Sequence, residues 1–178
     1  MLDGCARLEQ VVISSSRQRR RMIVAQPRCL GAGIGARNRA CTGFGGGIYE
    51  SAVLIMKIGD QISWQRTFTE ADIRAFTELS GDAGEHHLLA DAQGRLMAHG
   101  LLTATIPTKI GGDMNFIARE MTFQFQRPVF SGDTIVCEVT VSSLERSEQL
   151  TNIATTFVCR NQHGKEVMSG IARGVIRV

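Results

Sequence analysis

His99-Gly100-Leu101-Leu102-Thr103-Ala104-Thr105-Ile106-Pro107-Thr108-Lys109-Ile110-Gly111-Gly112 is the stretch that decides the fold. Residues 100–110 are almost all apolar or small, on every face that a helix would present. A helix that is apolar on most sides is a buried one. Pro107 predicts a missing hydrogen bond and a bend. Gly111-Gly112 predict the stop.

Downstream lie four strand-like runs, at 115–125, 134–144, 150–160 and 166–178. Ile135, Cys137, Val139 and Val141 alternate with polar neighbours, as do Ile153, Thr155, Phe157 and Cys159, which is the two-residue period of a half-buried strand. Gly132-Asp133 and Asn161-Gln162-His163-Gly164 supply the turns. Upstream, 61–68 reads as a short strand. Thr69 can cap the next helix, with Asp72 as the N3 acid of a capping box and Phe68 and Ile73 at the staple positions. Ile73, Phe76 and Leu79 mark its apolar face, and Gly81 ends it. Residues 82–95 read as a polar loop. The order is strand, helix, buried helix, four strands. This predicts an α+β fold, an antiparallel sheet of about five strands wrapped round one central apolar helix.

Residues 1–55 read differently. They hold eight arginines against Asp3, Glu9 and Glu50, a net of +5, while the remaining twelve basic and fourteen acidic side chains give −2. Gly31-Ala32-Gly33-Ile34-Gly35 and Gly43-Phe44-Gly45-Gly46-Gly47 lie in no strand–turn–helix unit, so they form no dinucleotide fingerprint. The Arg19–Arg21 run reads as a solvated tail, and nucleic-acid binding is not expected. An organelle transit peptide is an alternative, against which stand the acids and the lack of an amphipathic face. Another is that Met56 is the true start. The reading favoured is a disordered or non-native extension over 1–55 and one domain over 56–178, with 52–56 adding at most a strand residue or two. No apolar run reaches the roughly 18–20 residues that span a bilayer. The five cysteines, at 5, 29, 41, 137 and 159, form no CxxC pair. They predict a reducing, cytoplasmic setting with neither a disulfide framework nor a zinc site.

The chemistry gathers around Gly81-Asp82-Ala83-Gly84-Glu85-His86-His87. Asp82 and His87 are five apart in a glycine-containing loop, so both can converge on one water. The Gly100 amide, at a helix N-terminus, can face the same point. A carboxylate, an imidazole and an oxyanion donor suffice to add water across a polarised double bond or remove it. Taken singly, Asp82 is also an ordinary turn residue and His87 an ordinary surface histidine. Asp82, Glu85, His86, His87 and His99 match no known metal-ligand spacing, and adjacent His86 and His87 are expected to point apart.

These motifs resemble the MaoC-like hot-dog family of (R)-specific enoyl-CoA hydratases and 3-hydroxyacyl-thioester dehydratases. Phe68-Thr69-Glu70-Ala71-Asp72-Ile73 through Leu79-Ser80-Gly81-Asp82 is similar to the family's first helix. His87 resembles the histidine of its Asp-x-Asn-Pro-x-His loop, and Ala98-His99-Gly100-Leu101-Leu102 the start of its central helix. Phe125-Gln126-Arg127-Pro128-Val129-Phe130-Ser131-Gly132-Asp133 is similar to its second-strand signature. Two features depart from the pattern: Gly84-Glu85 stands where Asn-Pro is usual, and the loop from His87 to His99 is short.

The resemblance implies Asp82 as the base, His87 as its partner on the water, Gly100 as oxyanion donor and an (R)-hydroxy product. It also implies a CoA or acyl-carrier-protein thioester as substrate, with neither cofactor nor metal. His99, Thr103 and Thr108 are the expected substrate-binding residues, with His99 alternatively bracing the loop or the Gly100 turn. Arg66, Lys109, Arg119 and Arg127 are candidate phosphate contacts. A lone sheet of this kind leaves edge strands open, which predicts a homodimer or an assembly of dimers. Two other functions remain open: a hot-dog acyl-thioester hydrolase, and a non-catalytic acyl-thioester-binding subunit.

Overall fold

The computed structural model describes residues 12–14 and 56–177. Strands β1 (Val12–Ser14) and β2 (Gln61–Thr67) precede helices α1 (Glu70–Ser80), α2 (Glu85–Leu88) and α3 (Gly100–Asp113). Strands β3 (Phe116–Phe125), β4 (Thr134–Arg146), β5 (Leu150–Asn161) and β6 (Glu166–Arg177) follow. All pair antiparallel in one sheet of order β1-β2-β4-β5-β6-β3. Five of these are the predicted strands, with ends within a residue or two of expectation. β1 is a short addition on the outer edge of β2, with Val12 opposite Ser63. The rest of the N-terminal segment, including 52–55, lies outside the described residues. Met56 is buried but belongs to no strand.

The sheet wraps α3, which buries Leu102, Thr103, Ala104, Ile106, Pro107, Ile110 and Gly111. Ile106 and Ile110 pack in one core with Phe68, Ile73, Ile135, Phe157 and Met168. Side chains facing this core from β4 and β5 are those of the alternating pattern: Ile135, Cys137, Val139, Val141, Ile153, Thr155, Phe157 and Cys159 are all buried. Cys137 and Cys159 lie opposite each other in the ladder as free thiols. The hydrogen bond to Cys159, together with burial, pushes the Cys137 thiol far up, so it stays protonated and is no nucleophile. Close approach of β3 to β6 depends on glycine: a Cβ at Gly170 would lie 2.0 Å from the Thr122 carbonyl oxygen, and one at Gly174 2.1 Å from that of Ile117.

Helix α1 begins as its sequence predicts. The Thr69 hydroxyl accepts from the Asp72 amide at 3.1 Å, and the Asp72 carboxylate accepts from the Thr69 amide at 2.9 Å. Phe68 and Ile73, the staple pair, are fully buried. Gly81, at φ 74°, takes the left-handed conformation that closes the helix.

Three expectations are corrected. Leu79, read as part of the apolar face of α1, is exposed. The polar loop 82–95 contains a helical turn, α2, which carries His87. Helix α3 does not stop at Gly111-Gly112 but runs on to Asp113. A glycine costs a helix only about 1 kcal/mol. Here Gly111 lies under the Phe116 ring, where a Cβ would come within 3.2 Å. The chain turns instead at Asn115, which adopts φ 53°.

Candidate active site

The site forms where the end of α1, the α2 turn and the start of α3 meet. The Phe130–Asp133 turn holds the loop behind it: the Ala98 amide donates to the Val129 carbonyl at 2.8 Å, and the Ser131 amide to that of Leu96 at 2.8 Å. The same turn takes the Phe68 amide onto the Asp133 carbonyl at 3.0 Å. The Val129–Asp133 part of the second-strand signature therefore scaffolds the site from behind, while Phe125, at its start, packs against Gly100.

Asp82 follows the left-handed Gly81 directly. Its amide donates to the Ser80 hydroxyl at 3.1 Å, and its Oδ1 accepts from the Gly84 amide at 3.3 Å. The carboxylate remains solvent-accessible. His87 is 5 % exposed, while its neighbour His86 is exposed, with the two rings tilted by 56°. The expectation that the two would point apart is corrected: their ring centroids are 3.9 Å apart, with His86 on the solvent side of His87. His87 Nδ1 lies 2.8 Å from the Met97 carbonyl oxygen, so this nitrogen is the donor and Nε2 keeps its lone pair. That Nε2 is 3.8 Å from Asp82 Oδ2. The separation is too long for a direct hydrogen bond and short enough for one water to touch both atoms.

Gly100 is the first residue of α3, and its amide is one of the donors that a helix leaves without an internal partner. A Cβ there would lie 3.0 Å from the Phe125 ring, so the position takes glycine. His99, the N-cap residue, is 2 % exposed and stacks on His87 with centroids 3.6 Å apart and planes at 20°. Its Nε2 is 3.0 Å from the Asp82 carbonyl oxygen. Its Nδ1 is buried with no partner, a loss of about 1–3 kcal/mol for a polar atom taken from water.

Asp82, His87 and His99 each bring one ligand-type atom within 4.8 Å of the others. His99 Nε2 lies on the Asp82 carbonyl oxygen, where it serves as a hydrogen-bond donor and not as a ligand.

Thr103 is buried and its hydroxyl turns back to the His99 carbonyl at 3.4 Å. Thr108 lies five residues further along α3 and lines an apolar cavity of about 60 Å³ with Pro107, Gly111, Met121, Phe157 and Ala172. Of the phosphate candidates, Arg66 is bound to Asp72, Lys109 to Asp113 and Arg127 to the Glu166 carbonyl, while Arg119 lines an open groove of the sheet with Glu120 and Arg173. None of the four contacts the Asp82–His87 pair. Residue reading had no access to Met97 and Thr77, which act through a backbone carbonyl and a weak hydroxyl contact to His99 at 3.4 Å.

The sheet wrapped on a single helix, with a carboxylate, an imidazole and a helix N-terminus at one end, defines the hot-dog class of acyl-thioester proteins. The family model for the FAS1-like dehydratase domain region matches residues 58–170, and the chain belongs to this MaoC-like family. It is 30 % identical over 128 residues to the (R)-specific enoyl-CoA hydratase of Rhodospirillum rubrum, covering 66 % of this chain and 85 % of that protein. It is 26 % identical over 129 residues to the tomato (Solanum lycopersicum) mitochondrial 3-hydroxyacyl-[acyl-carrier-protein] dehydratase FERN, covering 68 % of this chain and 78 % of the relative. The R-hydratase PhaJ1 of Pseudomonas aeruginosa superposes with a TM-score of 0.59 at 25 % identity, covering 70 % of this chain and 84 % of that one.

Proposed function

We propose that this protein is a hydro-lyase that reversibly hydrates trans-2-enoyl thioesters to (R)-3-hydroxyacyl thioesters, using a water held between Asp82 and His87. The observation that carries the mechanism is the 3.8 Å gap between Asp82 Oδ2 and the lone-pair nitrogen of His87. Both atoms are acceptors. A water bridging them donates both its protons inward and turns its oxygen lone pairs outward, toward C3 of a bound enoyl group. Asp82 takes one proton as the oxygen bonds to C3, while His87 Nε2 holds the other O–H and shares the transfer; the proton taken from the water is the one then delivered to C2, so that H and OH are both accounted for. The Gly100 amide stabilises the enolate-like charge on the thioester oxygen, worth about 3 kcal/mol. The chemistry needs neither metal nor cofactor. The relatives named for CoA and for acyl-carrier-protein substrates support either thioester handle.

Thr103 and Thr108 flank the path along α3, and the acyl tail runs beside them toward the cavity that Thr108 lines. The active form is a homodimer or an assembly of dimers. Support comes from β3, which pairs only with β6 among the described residues and exposes Ile117 and Phe125. The scattered cysteines support a cytoplasmic setting, and no helix of the described residues is long and apolar enough to cross a membrane.

Crotonyl-CoA tests the reaction. Hydration removes the enoyl absorbance without releasing thiol. Thiol release shows a hydrolase instead, and binding without turnover shows a binding subunit.

A further inference from the structure

We infer that His99 is a positioning residue that sets the Asp82 loop through one N–H group and makes no contact with substrate. This rests on the hydration reading above, with Asp82 and His87 as the water-holding pair.

The ring is sealed from solvent, between Phe76 at 5.0 Å and His87 at 3.6 Å between centroids. Its Nε2 faces two oxygens, the Asp82 carbonyl at 3.0 Å and the Thr77 hydroxyl at 3.4 Å. The Thr77 hydroxyl already donates to the Ile73 carbonyl at 3.1 Å, so it has no proton to offer. Nε2 therefore carries the proton, and Nδ1 is the lone-pair nitrogen that finds no donor. A side chain needed only to fill this space could be phenylalanine, a somewhat larger flat ring that strands no acceptor. What imidazole adds is the Nε2 proton, and that proton goes to the backbone of Asp82, 17 residues earlier in the chain.

The same ring is the stacking surface of His87 and the N-cap of the helix whose first amide is Gly100. Of these contacts the Nε2 proton is the one that reaches the Asp82 backbone, and so the one that sets where the carboxylate stands. Displacing a reacting group by about 1 Å costs a reaction on the order of 10²-fold in rate.

Two variants of the full chain separate the donor from the ring. His99→Phe keeps the ring and deletes the N–H. His99→Gln keeps a terminal N–H at similar reach and deletes the ring. Each is assayed with crotonyl-CoA for kcat and KM and melted beside the wild type. The expected result is a His99→Phe protein that melts at or above the wild-type midpoint, with kcat down about 10–100-fold and KM unchanged within about threefold. His99→Gln is expected to recover most of kcat.

His99→Phe with kcat within about threefold of wild type overturns the inference. So does a loss confined to KM, which means substrate contact, or a His99→Gln protein as slow as His99→Phe, which means that the ring itself matters. If His99→Phe does not fold, kcat of His99→Gln decides alone: near wild type supports the donor role, and a 10–100-fold loss contradicts it. A wild type that leaves crotonyl-CoA unhydrated refutes the hydration reading instead, before either variant is compared.

Discussion

His86 and His87 are neighbours in sequence and opposites in environment. His87 is buried, bonded to the Met97 carbonyl and turned to Asp82, while His86 is exposed and packs beside Gly84. His87→Ala is therefore expected to lose on the order of 10²–10⁴-fold in hydration rate, and His86→Ala less than about fivefold. Steady-state rates with crotonyl-CoA check this, and the reverse pattern would move the assignment by one residue. That Asp82 and His87 come together was legible in the sequence, because both are side chains at a short spacing. The Met97 carbonyl that orients His87 was not, since any residue offers a carbonyl and only the fold aims it. The inward turn of His99 was equally hidden: a histidine before Gly100 reads as reachable by substrate until packing seals it.

At the scale of elements, α1 was the most legible because its start is written in local chemistry. Burial alone would push the Asp72 carboxyl up, but the Thr69 amide and hydroxyl and the Arg66 guanidinium outweigh it and hold the group below its ordinary 3.8. A depressed carboxyl stabilises the fold above its unfolded-state value and loses that contribution as pH falls through the lower folded-state one. Asp72→Ala is expected to cost about 1 kcal/mol at neutral pH, read as a lower melting midpoint, with the difference from wild type shrinking as pH is taken below 3.8. A gap that stays constant into acid would show that the carboxylate is not the stabilising group.

Helix α3 was legible in type and burial but not at its end. Gly111-Gly112 read as a stop by local propensity, and packing under Phe116 overrode it. The α2 turn escaped for a related reason: four residues carry too little periodicity to announce a helix, and tertiary contacts such as the Met97 amide on the His86 carbonyl hold it.

For the whole molecule, the alternating strands and the short turns between them decided the antiparallel order, and the structure follows it. What the sequence left unstated is which edges are open. β1 covers part of the β2 edge, whereas β3 pairs on one side only among the described residues, and seven of its ten residues are exposed. Leu101 at the start of α3 and Leu89 after α2 add exposed apolar surface near the site. Sedimentation at micromolar concentration is expected to give twice the chain mass or a multiple of it; a fully active single chain would show that each copy builds its own tunnel. A chain beginning at Met56 is expected to fold and keep its activity, since it retains β2–β6 and the entire site. Insolubility or unfolding of that shortened chain would show that the domain needs β1 or another part of residues 1–55 to hold together.

The central claim is that water held by Asp82 adds to an enoyl thioester, and the most direct test is the hydration rate of Asp82→Asn beside wild type. The amide can still hold water but cannot take its proton. The account predicts that wild type removes the enoyl absorbance of crotonyl-CoA without thiol release. The variant, with an unchanged melting midpoint, is expected to be slower by a factor on the order of 10²–10⁴. A folded Asp82→Asn protein within about threefold of the wild-type rate would contradict the claim and remove Asp82 as the base.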